Sequence, residues 1–135
     1  MILIGDIGNT DTKICLVNSN YRIVKKLVLR TKQINKFVLH KKLNFNLKKN
    51  FFINKSLFCS VVPNKFLLIK LFVKNFFNNN CVELKKLNLN KIMKIKVNKK
   101  QIGSDRLANS IAVISKNKNF IILDFGTATT FDVVI

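Results

Sequence analysis

One short pattern occurs twice, near the two ends of this 135-residue chain. First, the apolar run that begins at Ile2 delivers Asp6, then Gly8, Asn9 and Thr10, and a second run, Thr12 to Val17, resumes. Later, the run from Phe120 delivers Asp124, then Gly126 and Thr127, and Thr130 to Ile135 follows. An apolar run, a tight polar turn and an immediate second run predict a hairpin. Two copies of strand, Asp, Gly, hydroxyl or amide, strand predict a duplicated domain, the second copy only begun. The predicted organisation is residues 1–118 as one domain and 119–135 as the opening of the next.

Between the hairpins the pattern alternates strands with helices, as in an α/β domain. Tyr21 to Thr31 alternates and extends the opening hairpin into an antiparallel meander. Lys32 to Leu43 has helical spacing, and the Asn- and Lys-rich stretch Asn44 to Asn54 reads as loop. Ser56 to Val62 is continuously apolar, as a buried strand is. Pro63 suits the first turn of the next helix, where its missing N–H is no loss. Asn78, Asn79 and Asn80 end that helix. Cys81 to Leu84 and the alternating Ile92 to Val97 predict further strands. Leu107, Ile111 and Ile114 set a helix over Ser104 to Ser115, with small Ala108 and Ala112 between them.

The carboxylates mark the chemistry. Against 25 Lys and Arg stand only six acidic residues: Glu83 and the aspartates Asp6, Asp11, Asp105, Asp124 and Asp132. Asp6 at a strand end, followed by a glycine turn, can orient hydrated magnesium while turn N–H groups and the Asn9 and Thr10 side chains take phosphate oxygens. An ordinary hairpin accounts for the same residues. Asp124, Phe125, Gly126 and Thr127 repeat the arrangement, and two such loops facing each other could hold a polyphosphate. Gly103, Ser104, Asp105 and Arg106 open a helix. Ser104 as N-cap and Asp105 at the positive helix end would be sufficient reason for them. The chemical reading makes Asp105 a base for a hydroxyl proton and Arg106 a partner for a carboxylate or developing phosphate charge. Asp11 and Asp132 have only positional company and carry no catalytic expectation.

The net charge of +19 raises the possibility of a nucleic-acid face. The lysines, however, are spread along the chain, and the aromatic residues are almost all Phe, with one Tyr and no Trp. Drift towards Lys, Asn, Ile and Phe explains this better than a stacking platform, so no specific nucleic acid is expected. Cys15, Cys59 and Cys81 form no CxxC pair and read as buried thiols in a reducing, cytoplasmic setting. The only histidine, His40, reads as a surface side chain. Met1 leads straight into a strand, so no signal peptide is expected. Pro63 to Phe77 is broken by Lys65, Lys70 and Lys74, which favours an amphipathic helix on a sheet over a membrane segment.

Four ordered motifs then point to one family. They are Asp6-x-Gly8-Asn9-Thr10; Ser60-Val61-Val62-Pro63; Gly103-Ser104-Asp105-Arg106-Leu107-Ala108-Asn109; and Asp124-Phe125-Gly126-Thr127-Ala128-Thr129-Thr130-Phe131-Asp132. Together they resemble type III pantothenate kinases of the actin/sugar kinase/Hsp70-like superfamily. The resemblance implies an actin-like, ribonuclease H-like ATPase domain: a mixed sheet with an antiparallel N-terminal meander and flanking helices. It also implies ATP-dependent phosphorylation of pantothenate, the first step towards coenzyme A, by a homodimer using Mg2+ with ATP and a monovalent cation, K+ or NH4+. By position, Asp6, Ile7, Gly8, Asn9, Thr10, Asp11, Thr12 and Lys13 would form the first ATP phosphate loop, and Thr127 would meet an ATP phosphate. Gly103, Ser104, Asp105 and Arg106 would contact pantothenate, Asp105 as proton acceptor, and Asp124 would bind the monovalent cation. The chain departs from the family where a Tyr and a Pro usually precede the glycine: Lys96 and Lys99 stand there, and Ser104 replaces the usual Ala. Family members are longer, so an N-terminal part or a truncated form is expected. A homologue without turnover is the alternative.

Overall fold

Strand β1 (Ile2–Ile7) is the axis of the sheet. It pairs antiparallel with β2 (Asp11–Val17) on one side and parallel with β4 (Lys55–Ser60) on the other. β3 (Ile23–Arg30) continues the meander antiparallel to β2, and β5 (Cys81–Glu83) runs parallel to β4. The result is a five-stranded mixed sheet in the order β3-β2-β1-β4-β5. The structure is a computed structural model and describes residues 1–46, 52–115, 117–126 and 128–135.

Alternation along the central strands divides the two faces. Leu3, Ile7 and Phe58 face one core, where α1 (Lys36–Asn46) contributes Leu39 and Leu43, and α2 (Pro63–Phe77) contributes Phe66, Ile69, Phe72 and Val73. The Phe58 ring lies against Gly5 so closely that any Cβ there would strike it. On the other face, Leu57 and Cys59 pack against a smaller core of Leu84, Leu89, Ile102 and Leu107, the last from α3 (Ser104–Val113). β6 (Phe120–Phe125) and β7 (Thr129–Val134) form a separate two-stranded antiparallel sheet. The α/β class, the meander, the proline-led helix and both hairpins are therefore as the sequence predicts.

Four expectations give way. The first helix begins at Lys36, because the Asn35 side chain accepts from Val38 N–H at 2.9 Å and starts it there, while Thr31–Gln33 is a separate 3-10 turn. That helix runs through Asn44 to Asn46, so the predicted loop starts later; residues 47–51 of it lie outside the described residues. No strand forms over Ile92 to Val97: a 3-10 turn at Leu89–Lys91 leads into irregular backbone. Ile92 and Val97 are exposed there and bring no apolar face to a sheet. Nor is Ser104 the N-cap of α3. Gly103 occupies the cap without a side-chain bond, and Ser104 begins the helix proper, fully buried.

Candidate active site

The faces of the sheet decide which motif residues meet. Leu3, Gly5 and Ile7 alternate with Ile4 and Asp6, so Asp6 emerges on the α3 side of β1. Asp6 is in register with Lys13 on β2 and with Cys59 on β4. Beyond it, Gly8 N–H donates to the Asp11 carbonyl at 3.0 Å and closes the turn. No described glycine has a positive φ. The need at Gly8 is spatial, since a Cβ would sit 3.0 Å from the Asp11 carbonyl oxygen. Thr31 secures the turn from behind. Its hydroxyl donates to the Gly8 carbonyl at 2.7 Å, and its N–H donates to the Thr10 carbonyl at 2.9 Å. Because that hydroxyl hydrogen is committed, Thr12 must be the donor in the buried 2.9 Å contact between the Thr12 and Thr31 hydroxyls.

A cleft of about 1030 Å³ opens between this turn, α3 and the β6–β7 hairpin. Asp6, Gly8, Asn9, Thr10, Asp11 and Lys13 line one wall, Asp105, Arg106, Ala108 and Asn109 the second, and Asp124, Gly126, Ala128 and Thr130 the third. Ile7 and Thr12 are fully buried, so within the predicted phosphate loop these two contribute core packing and backbone. Asp11 forms an exposed ion pair with Arg30 at 3.3 Å. Thr127 lies outside the described residues.

On α3, the Ser104 hydroxyl accepts from Ser60 N–H at 2.6 Å and donates to the Ser60 carbonyl at 3.0 Å, clipping the helix start to the end of β4. Asp105 folds back over the first turn, accepting from Arg106 N–H at 2.8 Å. Its carboxylate fills the space that a Cβ on Gly103 would need. Arg106 reaches the hairpin: its Nε donates to both Asp132 oxygens at 3.0 and 2.9 Å, and its Nη2 to Asp132 Oδ1 and the Phe131 carbonyl. Asn109 Nδ2 stands 3.5 Å from Asp124 Oδ2. Ala108 and Ala112 keep the helix surface low along the cleft.

Burial raises the Asp6 carboxyl above its ordinary range. Lys13 pulls it back, while Asp105 and Asp124 push it up further. The three carboxylates of the three motifs thus share one field. Cys59 lies beside Asp6 in the sheet register. Burial first, then Asp6, Glu83 and Asp105, push its thiol up to about 12. Among the described residues no group of three His, Cys, Asp or Glu side chains is gathered to chelate a metal directly. The Thr130 hydroxyl, across the hairpin register from Asp124, is buried and has no partner in the structure.

The motif order and this geometry meet in the comparison with known sequences. The pattern of type III pantothenate kinase matches residues 2–135. The chain belongs to the type III pantothenate kinase family. A type III pantothenate kinase of Pelagibacter ubique is 65% identical over 136 residues, covering 100% of this chain and 54% of that protein. Those of Ehrlichia canis and Desulforapulum autotrophicum are 36% and 31% identical, covering 99% of this chain and 53% of each relative. The chain therefore spans about half the length of the curated relatives it matches.

Several site residues carried no expectation in the sequence. Asp132 is the largest correction: it does more than keep positional company, since it binds Arg106 of a different motif. Asn109 stood inside a quoted motif without a role. Thr31 gave no signal, because it meets the turn from 23 residues away, just past the end of β3. Cys59 is only partly buried and faces the cleft, whereas Cys15 and Cys81 are buried as predicted. Lys96 is exposed, Lys99 donates to the Asn90 side chain at 2.8 Å, and neither lines the cleft.

Proposed function

We propose that this chain carries the catalytic half-site for ATP-dependent phosphorylation of pantothenate, the opening step of coenzyme A synthesis. The observation that carries the reading is the convergence of Asp6, Asp105 and Asp124 on one cleft, each beside a glycine and each from a different motif. The Gly8 turn and the Gly126 loop, with Thr127, would cradle the ATP phosphates, and Lys13 beside Asp6 would neutralise phosphate charge. Asp6 would orient the nucleotide's Mg2+, which supplies charge neutralisation when bound. Asp124, with the unpartnered Thr130 hydroxyl opposite, offers hard oxygen ligands suited to the monovalent cation, K+ or NH4+.

Gly103 to Arg106 would receive pantothenate. Its hydroxyl oxygen attacks the γ-phosphorus, the bond to the β-phosphate bridging oxygen breaks, the hydroxyl proton passes to the Asp105 carboxylate, and ADP leaves. Ser104 would take part through its backbone, since its side chain is bound to Ser60. A dimer and a cytoplasmic setting belong to this reading. No described helix is long and apolar enough to cross a membrane.

The test is phosphopantothenate formation from ATP with the parent chain and with Asp105→Asn. Loss of a general base lowers turnover by about 100- to 10,000-fold. Undiminished turnover in the variant removes Asp105 as the base. A second reading, a homologue without turnover, is motivated by Lys96 and Lys99, which stand where the family usually has a Tyr and a Pro. Nucleotide binding without phosphopantothenate formation is its signature.

A further inference from the structure

The β6–β7 hairpin forms its own sheet. Among the described residues, its side-chain hydrogen bonds to the rest of the protein all run through α3. Arg106 reaches Asp132 and the Phe131 carbonyl, and Asn109 reaches Asp124 at the limit of bonding distance. We propose that Asp132 is a positioning residue, aiming Arg106 at the anionic end of the acid substrate and docking the hairpin on α3 through the same contact. The substrate half of this proposal rests on the pantothenate reading above.

The geometry of the guanidinium carries the argument. It is planar, with five N–H donors in a fixed fork. Asp132 occupies the Nε edge with both oxygens and also binds Nη2, which shares itself with the Phe131 carbonyl at 3.2 Å. Fixing that edge fixes the plane, and therefore the direction of Nη1 at the other end. No described residue accepts from Nη1, and Arg106 lines the cleft between Asp105 and Asn109. The Asp132 side chain is 12% exposed, against 32% for Arg106, so the carboxylate is the sheltered anchor and the guanidinium the presented group. Asp132 lies on the inner side of β7, opposite Ile122 in register. Holding the arginine and holding the hairpin are thus one act.

A rival arrangement makes the opposite prediction. If Asp132 merely competed with substrate for the guanidinium, its removal would free a cation and tighten binding of the acid. In the full chain, Asp132→Asn and Asp132→Glu are compared with the parent by three readouts: the Arg106 Nε–H resonance, amide exchange in β6 and β7, and calorimetric affinity for pantothenate and, separately, for ATP. Asp132→Asn is expected to shift the resonance, speed hairpin exchange and weaken pantothenate about 10- to 100-fold, the weight of one charge-assisted hydrogen bond. ATP affinity falls less than pantothenate affinity, because the loosened hairpin carries only one of the two phosphate loops, and Asp132→Glu restores part of the pantothenate affinity. An unshifted resonance overturns the proposal, as does pantothenate bound equally or more tightly by Asp132→Asn. A parent chain that binds no pantothenate overturns the functional reading and the substrate half with it. The resonance and the exchange rates then decide the docking half alone.

Discussion

Asp6 is costly to the fold and useful to the site. Its folded-state carboxyl is raised by burial, with Asp105 and Asp124 adding to the rise against the pull of Lys13, so the folded chain holds the proton more tightly than the unfolded chain does. Stability present below the ordinary carboxylate value is therefore lost as pH rises towards the folded value. Thermal melts of the parent and Asp6→Asn should coincide in acid and separate as pH rises, the variant becoming the more stable. A parent that gained on the variant with rising pH would contradict this. Gly103 and Ser104 divide the support of Asp105. Gly103→Ala puts a Cβ where the Asp105 carboxylate lies, so turnover should fall with little change in melting temperature. Ser104→Ala leaves the Ser60 N–H and carbonyl without their partner and should cost about 1–3 kcal/mol in denaturant unfolding. That residue departs from the family's usual alanine, and no local pattern marks its hydroxyl as a bridge between two elements.

At the scale of elements, the phosphate turn is held from outside itself. The turn was legible because glycine between two apolar runs has few other uses. The reason for its rigidity was not, because Thr31 lies at the far end of β3 and meets Gly8 only once the meander has folded. Thr31→Val removes the bonds to Gly8 and Thr12, and unfolding should show a loss of about 1–3 kcal/mol, with weaker ATP binding measured alongside. ATP affinity equal to the parent's would mean that the turn keeps its shape without this brace. Local pattern misled at Ile92 to Val97 for the converse reason. Alternation makes a strand only where a neighbour offers unpaired backbone, and β5, at the edge of the sheet, is a three-residue strand that such a segment does not join. The start of α1 was missed by four residues because weak helical spacing cannot distinguish a 3-10 turn from a first helical turn, whereas a side-chain cap at Asn35 can.

Across the whole molecule, the hairpin has two unlike faces. Ile122, Asp124, Thr130 and Asp132 look inward to α3 and the cleft, while Ile121, Phe125, Phe131 and Val133 are 72%, 76%, 65% and 69% exposed on the other side. An apolar face of this kind promotes association in water. The chain should bind a hydrophobic dye, and Ile121→Lys with Phe131→Lys should reduce that binding while leaving the five-stranded sheet folded by circular dichroism. Dye binding unchanged by both substitutions would locate the exposed surface elsewhere. The motif order predicted the family correctly, because strand-end aspartates beside glycines are restrictive local chemistry, and residues of three of its motifs line one cleft.

The sequence by itself determined most of the elements, the two echoing hairpins and the family, since each follows from apolar periodicity, turn residues or motif order within short stretches. Only the tertiary structure decided that Asp6 faces α3, since this follows from which side of β1 packs on Phe58. Only it could join Arg106 to Asp132 and Ser104 to Ser60 across gaps of 26 and 44 residues. Hydrogen bonds between distant side chains depend on where whole elements come to rest, and no local pattern encodes that.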